Sequence, residues 1–210
     1  MINNIISILK RTNAIVTDDH FVYTSGKHGS VYINKDAIYP HTDESSTIGQ
    51  LFAEKFKNMN IDIVAGPAIG GIILSQWTAH HLTKLENRNI LGIYTEKTSE
   101  KNQVFTRGYD KLINKKNVLI VEDLTTTGGS VRKVIESVLN NGGKIISIGV
   151  MINRNPVLVN EKTIGYPFQS LGEISIIDYD KTDCPLCKKG VPININIGHG
   201  KKYLENNNPH

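Results

Sequence analysis

Two adjacent carboxylates, Glu122 and Asp123, stand directly before a loop of small and hydroxylated residues, Leu124 to Ser130. Carboxylates accept hydrogen bonds from the hydroxyl groups of a sugar, and they also bind divalent cations. A glycine-rich loop that leads into a helix lets an anion approach free backbone amides. Together these residues predict a site for a ligand that carries both phosphate and hydroxyl groups.

The residues on either side of this loop predict the elements that position it. Val118 to Val121 form a short apolar run rich in β-branched residues, which is typical of a strand buried on both faces. Apolar residues then recur at helical spacing from Val131 to Leu139, and Gly142 predicts the end of that helix. An ordinary strand-to-helix turn is the alternative interpretation, and the two acids before the loop weigh against it.

An earlier part of the chain has the same order of strand, glycine loop and helix. Asp62 to Ala65 predict a strand, Gly66 to Gly71 a loop, and the next residues a helix through Leu82. Parallel strands end at the same edge of a sheet, so two such loops can hold two phosphate groups of one ligand. Seen alone, this loop is slightly better explained by a simple helix start, but its pairing with the first loop favours binding.

Basic residues outside the two loops are further candidates for binding an anion. Thr95 to Tyr109 is polar and poor in aliphatic residues, which predicts a mobile or hairpin-like flap that carries Lys97, Lys101 and Arg107. A solvated surface loop is the alternative for these charges. Arg154 follows a predicted strand over residues 144–152, and its guanidinium suits a carboxylate. The alternative role for this arginine is to cap a loop carbonyl or to pair with an acid.

The segment VLIVEDLTTTGGS, residues 118–130, resembles the phosphoribosyl-pyrophosphate (PRPP) signature of type I phosphoribosyltransferases. That signature has apolar residues, two acids and another apolar residue before a Thr/Gly loop. The resemblance covers most of the chain, from about Phe21 to Ile195. It implies an α/β fold with a parallel sheet flanked by helices and a small N-terminal hood, which agrees with the alternation of predicted strands and helices.

The resemblance also implies which residues hold PRPP. Glu122 and Asp123 would face the ribose hydroxyls, with Mg²⁺ bridging ribose and pyrophosphate oxygens beside them. The 5′-phosphate would lie on the loop formed by Leu124, Thr125, Thr126, Thr127, Gly128, Gly129 and Ser130. The earlier loop resembles the pyrophosphate loop of the family, with the contacts Ala68, Ile69, Gly70 and Gly71.

Residues 20–34 predict two short strands around a glycine-containing turn, and they resemble the opening hairpin that covers the base in orotate phosphoribosyltransferases. The matching residues are Ser25, Gly26, Tyr32, Ile33 and Asn34. That family commonly has a lysine where this chain has Thr24, so the charge is absent here or is supplied by Lys27 or Lys35. Core packing is the alternative for the hairpin aromatics. The implied contacts to the base are Arg154, Thr126, Tyr32 and Ile33.

The activity implied by the resemblance is phosphoribosyl transfer from PRPP to orotate, which gives orotidine 5′-monophosphate and pyrophosphate. Lys97 and Arg107 would act in catalysis with Glu122 and Asp123, on a flap that reaches the neighbouring site of a homodimer. One alternative is the same transfer to another purine or pyrimidine base. Another is a non-catalytic PRPP-binding regulator that contacts nucleic acid, which would call for a basic face or a DNA-binding module that this sequence lacks.

The two cysteines of the chain, Cys184 and Cys187, have the C-x-x-C spacing of half a zinc site. His199 could supply a further ligand, and a partner chain the rest. Plain reduced thiols are the alternative that we weigh most heavily, and a redox pair is the third. The segment CPLC-x-x-G-x-P-I resembles the carboxy-terminal part of one branch of orotate phosphoribosyltransferase-like proteins.

Composition is consistent with a single enzyme domain over residues 1–210. The chain is 39% hydrophobic and 21% charged, and its net charge of +4 is mild and unclustered, which does not favour a nucleic-acid partner. Residues 41–160 would form the PRPP-binding core, and residues 1–40 with the C-terminal part would form the hood. The sequence has no apolar run of 18 residues and no signal-like start, so we expect no membrane association and a cytoplasmic location.

Overall fold

The computed structural model describes residues 2–207 of the chain. Its helices are α1 (Ile2–Arg11), α2 (Thr42–Phe56), α3 (Gly70–Glu86), α4 (Asp110–Ile113), α5 (Gly129–Asn140), α6 (Glu161–Ile164), α7 (Pro185–Lys188) and α8 (Gly200–Asn207). Its strands are β1 (Ile15–Val22), β2 (His28–Ile33), β3 (Ile63–Pro67), β4 (Leu91–Lys97), β5 (Gln103–Val104), β6 (Asn117–Thr125), β7 (Lys144–Asn153) and β8 (Phe168–Glu173). No helix in this range is long and apolar enough to cross a membrane.

The main sheet has six strands in the order β5-β4-β3-β6-β7-β8. All neighbouring pairs are parallel except β4 and β5, which form a short antiparallel edge. The fold class is therefore α/β with a mostly parallel central sheet, as the sequence predicts. β3 and β6 are central neighbours, so both glycine loops leave the sheet at its carboxyl edge.

Each face of the sheet packs against its own helices. Leu119 and Val121 of β6 lie in a core with residues of α1, α2 and α3, while Val118 and Ile120 lie in a second core with α5. All four side chains are fully buried. Because alternate residues of a strand point to opposite faces, an unbroken apolar run is what a strand covered on both faces requires.

Strands β1 and β2 form a separate two-stranded antiparallel hairpin. The C-terminal segment packs along it, since the backbone amide of Asn194 donates to His20 O at 2.8 Å and that of His199 donates to Val22 O at 3.0 Å. An isolated bridge also pairs His28 with Tyr179. Two-stranded hairpins are marginally stable alone, so this one depends on the segment that covers it.

One element differs in extent from what its sequence predicts. Residues 168–178 predict a last strand, but β8 ends at Glu173, where its neighbour β7 ends at Asn153. The expected flap is hairpin-like: Lys97 of β4 pairs with Gln103 of β5, and residues 98–102 form the turn between them.

Candidate active site

The loop after β3 is packed too tightly for side chains at its glycines. A Cβ on Gly66 would lie 2.5 Å from the carbonyl oxygen of Gly71, so the two glycines face each other across the turn. The amide of Ala68 donates to Thr95 O at 2.9 Å, which fixes the loop against β4. The peptide bond between Ala68 and Ile69 is cis, and the Ile69 side chain is exposed.

The loop after β6 ends at the start of α5. Gly128 is the N-cap residue with a φ of 76°, a left-handed conformation that glycine adopts at little cost. Its amide donates to Thr125 Oγ1 at 3.1 Å, and no side chain caps the helix. The first amides of a helix have no intrahelical acceptor, so this end can bind a phosphate group.

Asp123 lies at the end of β6 and is almost fully buried. Its Oδ2 accepts hydrogen bonds from Lys35 Nζ at 2.6 Å and from the Tyr39 hydroxyl at 2.8 Å. Burial and the nearby carboxylate raise the pKa of Tyr39 far above its usual value, so Tyr39 remains a donor. Gly70 leaves room for this arrangement, because a Cβ there would lie 1.7 Å from Asp123 Oδ2.

Glu122 is also buried, and its Oε1 accepts a hydrogen bond of 2.9 Å from the Asp123 amide. Burial and the neighbouring Asp123 carboxylate raise the pKa of Glu122 well above its usual value. The two acids therefore differ: Asp123 carries a cationic partner, while the charged form of Glu122 is disfavoured. The family resemblance implies that both acids face the ribose, but neither lines the adjacent cavity.

That cavity has a volume of about 540 Å³ and lies between the hairpin β1–β2 and the carboxyl edge of the sheet. Its lining includes all four residues expected to contact a base: Tyr32, Ile33, Thr126 and Arg154. The other lining residues are Tyr23, Thr24, Ser25, Asn34, Lys35, Asp36, Leu124, Thr127 and Asp178. The loop after β6 and the hairpin thus share one cavity.

Arg154 is held in this cavity by its backbone and by an aromatic ring. Its amide donates to Thr125 O at 2.9 Å, and its guanidinium carbon lies 5.0 Å from the centroid of the Tyr23 ring. Its Nε is buried and has no hydrogen-bond partner. A buried donor without a partner costs about 1–3 kcal/mol, so a ligand acceptor here would be favourable.

Of the two lysines considered as replacements for the charge missing at Thr24, Lys35 lines the cavity. Lys27, the other candidate, pairs with Asp178 at 3.0 Å and does not line the cavity. Tyr23 and Tyr39 are functional candidates that no sequence motif indicates. Their roles depend on contacts with Arg154 and Asp123, which are distant in the chain.

The flap cations lie outside the cavity lining. Arg107 Nη2 contacts Glu96 Oε1 at 2.8 Å, and the Thr106 hydroxyl donates to the same carboxylate. These contacts lower the pKa of Glu96, first through Thr106 and then through Arg107. Lys97 is exposed at the end of β4. The structure therefore does not bring Lys97 or Arg107 to the cavity in this chain.

The cysteines do not line the cavity either. His199, which was considered as a further ligand beside them, contacts Thr24 instead, with its Nε2 2.9 Å from Thr24 Oγ1. It is not part of the cluster that Cys184 and Cys187 form with two other histidines.

Comparison with known proteins identifies relatives over most of the chain. Residues 34–165 match the sequence profile of the phosphoribosyl transferase domain. The chain is 36% identical over 179 residues to an orotate phosphoribosyltransferase of Caldanaerobacter subterraneus subsp. tengcongensis, covering 85% of this chain and 88% of that protein. It is 34% identical over 185 residues to that of Thermotoga maritima, covering 88% of this chain and 92% of that protein.

Solved structures show the same fold. The orotate phosphoribosyltransferase of Mycobacterium tuberculosis H37Rv superposes with a TM-score of 0.65 at 20% identity, covering 81% of this chain and 96% of that one. That of Aeropyrum pernix superposes with a TM-score of 0.62 at 26% identity, covering 80% and 92%.

Proposed function

The chain belongs to the phosphoribosyl transferase family, and from this we propose that it transfers the phosphoribosyl group of PRPP to orotate. The products would be orotidine 5′-monophosphate and pyrophosphate. The relatives from Caldanaerobacter subterraneus subsp. tengcongensis and Thermotoga maritima are orotate phosphoribosyltransferases. The observation that carries the proposal is a single cavity lined both by Thr126 and Thr127 of the loop after β6 and by Arg154, whose buried Nε has no hydrogen-bond partner.

PRPP would bind by its two anionic ends. Backbone amides and hydroxyls from Thr125 to Ser130 would hold the 5′-phosphate, and the loop from Ala68 to Gly71 would hold the pyrophosphate. Each charge-assisted hydrogen bond contributes about 1.5–3 kcal/mol, whereas an exposed helix dipole contributes only about 0.3–1 kcal/mol. The directed amides and hydroxyls would therefore dominate binding, and they would also fix the position of ribose C1.

Asp123 Oδ2 is bound to Lys35 and Tyr39, so one of these two contacts must change before Asp123 can bind the ribose hydroxyls. We expect the Lys35 ammonium to turn from Asp123 Oδ2 toward the anionic substrate when PRPP binds. The Lys35 side chain is partly exposed and lines the cavity, so it has room to move. Tyr39 would remain hydrogen-bonded and keep the carboxylate in place.

Enzymes of this family use PRPP together with Mg²⁺, and the carboxylate donors at this edge of the sheet are of the type that Mg²⁺ prefers. Glu122 and Asp123 would hold the ion through the ribose hydroxyls or through water, because neither carboxylate opens directly into the cavity. The bound ion would supply positive charge to the leaving pyrophosphate.

During transfer, the bond from ribose C1 to the pyrophosphate oxygen breaks and its electron pair leaves with pyrophosphate. The base nitrogen bonds to C1 and its proton is released. Arg154 would orient the base through the carboxylate that distinguishes orotate from uracil. Tyr32 and Ile33 of the hairpin would cover the ring and exclude water, which would otherwise compete for C1.

Lys97 and Arg107 would neutralise the leaving group from a flap that closes over a neighbouring site in a homodimer. Both cations lie outside the lining of the cavity in their own chain. This position leaves them free to serve the cavity of a neighbouring chain. For this role, Arg107 would release its ion pair with Glu96 and bind the pyrophosphate group instead.

A base panel tests the proposed function. The protein is incubated with PRPP and Mg²⁺ and with orotate, uracil or adenine, and pyrophosphate release and nucleotide formation are measured. We expect orotate to be used at least about 100-fold better, because the arginine would be left unpaired by a base without a carboxylate. Preference for another base would contradict the assignment. Thermal stabilisation by PRPP without turnover on any base would favour a PRPP-binding regulator.

A further inference from the structure

Four potential metal ligands converge away from the proposed active site. His20, His28, Cys184 and Cys187 place their ligand atoms within 4.8 Å of one another. His20 Nε2 lies 3.7 Å from both sulfur atoms, and His28 Nδ1 lies 3.4 Å from the Cys187 sulfur. At usual Zn–N and Zn–S bond lengths, a tetrahedral site separates nitrogen and sulfur by about 3.5 Å. The arrangement therefore has the dimensions of a zinc site.

The backbone directs both cysteines to one side. Cys184 is the N-cap residue of α7 and Cys187 lies within that helix. The Lys188 amide donates to Cys184 O at 3.1 Å, and the Gly190 amide donates to Cys187 O at 3.0 Å, with Gly190 at a φ of 67°. This compact turn gives the C-x-x-C spacing that zinc ligands commonly use.

The histidines are oriented as ligands by their outer contacts. His20 Nδ1 lies 2.8 Å from the carbonyl oxygen of Val191, so this nitrogen carries the proton and Nε2 presents its lone pair to the cluster. A metal-bound histidine usually donates its other N–H in this way. His28 presents Nδ1, while its ring lies edge-on to Tyr203 at 5.1 Å.

The ligand atoms of the cluster are already in contact with one another. The facing nitrogens of the two imidazoles are 2.8 Å apart, which is hydrogen-bond distance, and both cysteine sulfurs lie beside an imidazole nitrogen. Both cysteines are free and not joined in a disulfide, and Cys184 is fully buried. A dication bound by two thiolates and two neutral imidazoles would instead form a charge-balanced group.

We propose that His20, His28, Cys184 and Cys187 form a structural zinc site that fastens the hairpin β1–β2 to the C-terminal segment. The ligands fill all four tetrahedral positions, so the ion has no open position for catalysis. The site replaces the sequence-based alternatives of plain thiols, a redox pair, or a cysteine pair completed by His199. It does not depend on which base the enzyme uses.

The site acts on the cavity through the hairpin. His20 and His28 lie on β1 and β2, and the same hairpin carries Tyr23, Tyr32 and Ile33 into the cavity lining. The hairpin is not hydrogen-bonded to the main sheet within the described residues. Zinc therefore holds the hood in the position from which it covers the base.

Metal analysis tests the proposal on the untagged full chain. Elemental analysis by mass spectrometry should find about one zinc per chain. After removal of zinc, Co²⁺ should restore a visible spectrum with the d–d bands of a tetrahedral site and thiolate charge-transfer bands. Hydrogen exchange of amides in residues 15–33 and 184–199 should accelerate in the zinc-free protein. Absence of zinc together with no cobalt spectrum, or a disulfide between the cysteines, would overturn the proposal.

Variants define the ligand set. The double substitution Cys184→Ser, Cys187→Ser and the single substitution His28→Gln should each lower zinc content at least about tenfold, because a primary ligand matters more than an outer-shell partner. His199→Gln is the matched control, since it removes a histidine from the same segment without touching the cluster. Loss of zinc in the control equal to that in His28→Gln would refute the assigned ligands. The cobalt spectrum of the wild-type chain remains decisive if a variant does not fold.

Discussion

Lys35 Nζ lies 2.6 Å from Asp123 Oδ2, although the two residues are 88 positions apart in the chain. Lys35 lines the cavity and is partly exposed, whereas Asp123 is buried, so the ion pair links the segment that follows the hairpin to the end of β6. A substrate with a pyrophosphate group offers Lys35 a second anionic partner. The pair is thus the point at which binding of PRPP would rearrange the site.

We expect Lys35→Ala to reduce kcat/KM for PRPP by about 10- to 100-fold, which corresponds to the loss of one charge-assisted hydrogen bond. Its effect on stability should be smaller, about 1 kcal/mol, because the lysine is partly exposed and Tyr39 still binds Asp123. Steady-state kinetics and urea unfolding measure the two effects. Lys27→Ala is the control, since the Lys27 side chain pairs with Asp178 and is not itself part of the cavity lining. Equal kinetic losses in both variants would argue against a specific role for Lys35.

Arg154→Ala should weaken the use of orotate more than the binding of PRPP. With orotate, we expect kcat/KM to fall about 10- to 100-fold, while the KM for PRPP stays within about twofold. Arg154→Lys should recover only part of the loss, because an ammonium cannot bind a carboxylate through two parallel hydrogen bonds. The measurement is turnover with orotate and with uracil for each variant. A proportional loss with both bases would mean that Arg154 supports Tyr23 and the loop rather than the carboxylate.

Gly70→Ala should disturb the site without any change in charge. The added Cβ would lie 1.7 Å from Asp123 Oδ2 and 2.2 Å from the Tyr39 hydroxyl, so the carboxylate must move. We expect a loss of about 1–3 kcal/mol in unfolding free energy and a large fall in kcat/KM. Gly129→Ala is the folding control, because its Cβ meets only Thr127 Oγ1, at 3.6 Å. Equal stabilities of the two variants would show that Gly70 is not constrained by Asp123.

Mixing of inactive variants tests whether the flap serves a neighbouring subunit. One preparation carries Lys97→Ala with Arg107→Ala, and the other carries Asp123→Asn. If sites are shared in a homodimer, random exchange of subunits should restore up to about a quarter of wild-type activity, because half of the dimers then contain one intact site. Each preparation alone, taken through the same exchange, is the control. No recovery despite verified exchange of subunits would place the flap on its own site.

The local elements of the fold could be predicted because their signals are local. The apolar run from Val118 to Val121 requires a strand buried on both faces, and Gly128 marks the turn into α5. The C-terminal end of β8 could not be predicted from local sequence, because β8 ends where its partner strand β7 ends, at Asn153.

Contacts between residues far apart in the chain could not be predicted from the sequence. C-x-x-C spacing indicated Cys184 and Cys187, but His20 lies 164 positions before Cys184 and has no motif of its own. Tyr39 likewise reaches Asp123 only after the chain folds. Such partners follow from the packing of the hairpin on the C-terminal segment and on the sheet edge.

The most direct test of the account is the turnover of Asp123→Asn. The substitution keeps the size of the side chain and a hydrogen bond from Tyr39, but it removes the negative charge. We predict that kcat for transfer from PRPP falls by at least about 100-fold, a loss of about 2.7 kcal/mol in transition-state stabilisation, while the thermal midpoint shifts by only a few degrees. Near-normal turnover in a folded Asp123→Asn protein would contradict the role assigned to the acids at the end of β6.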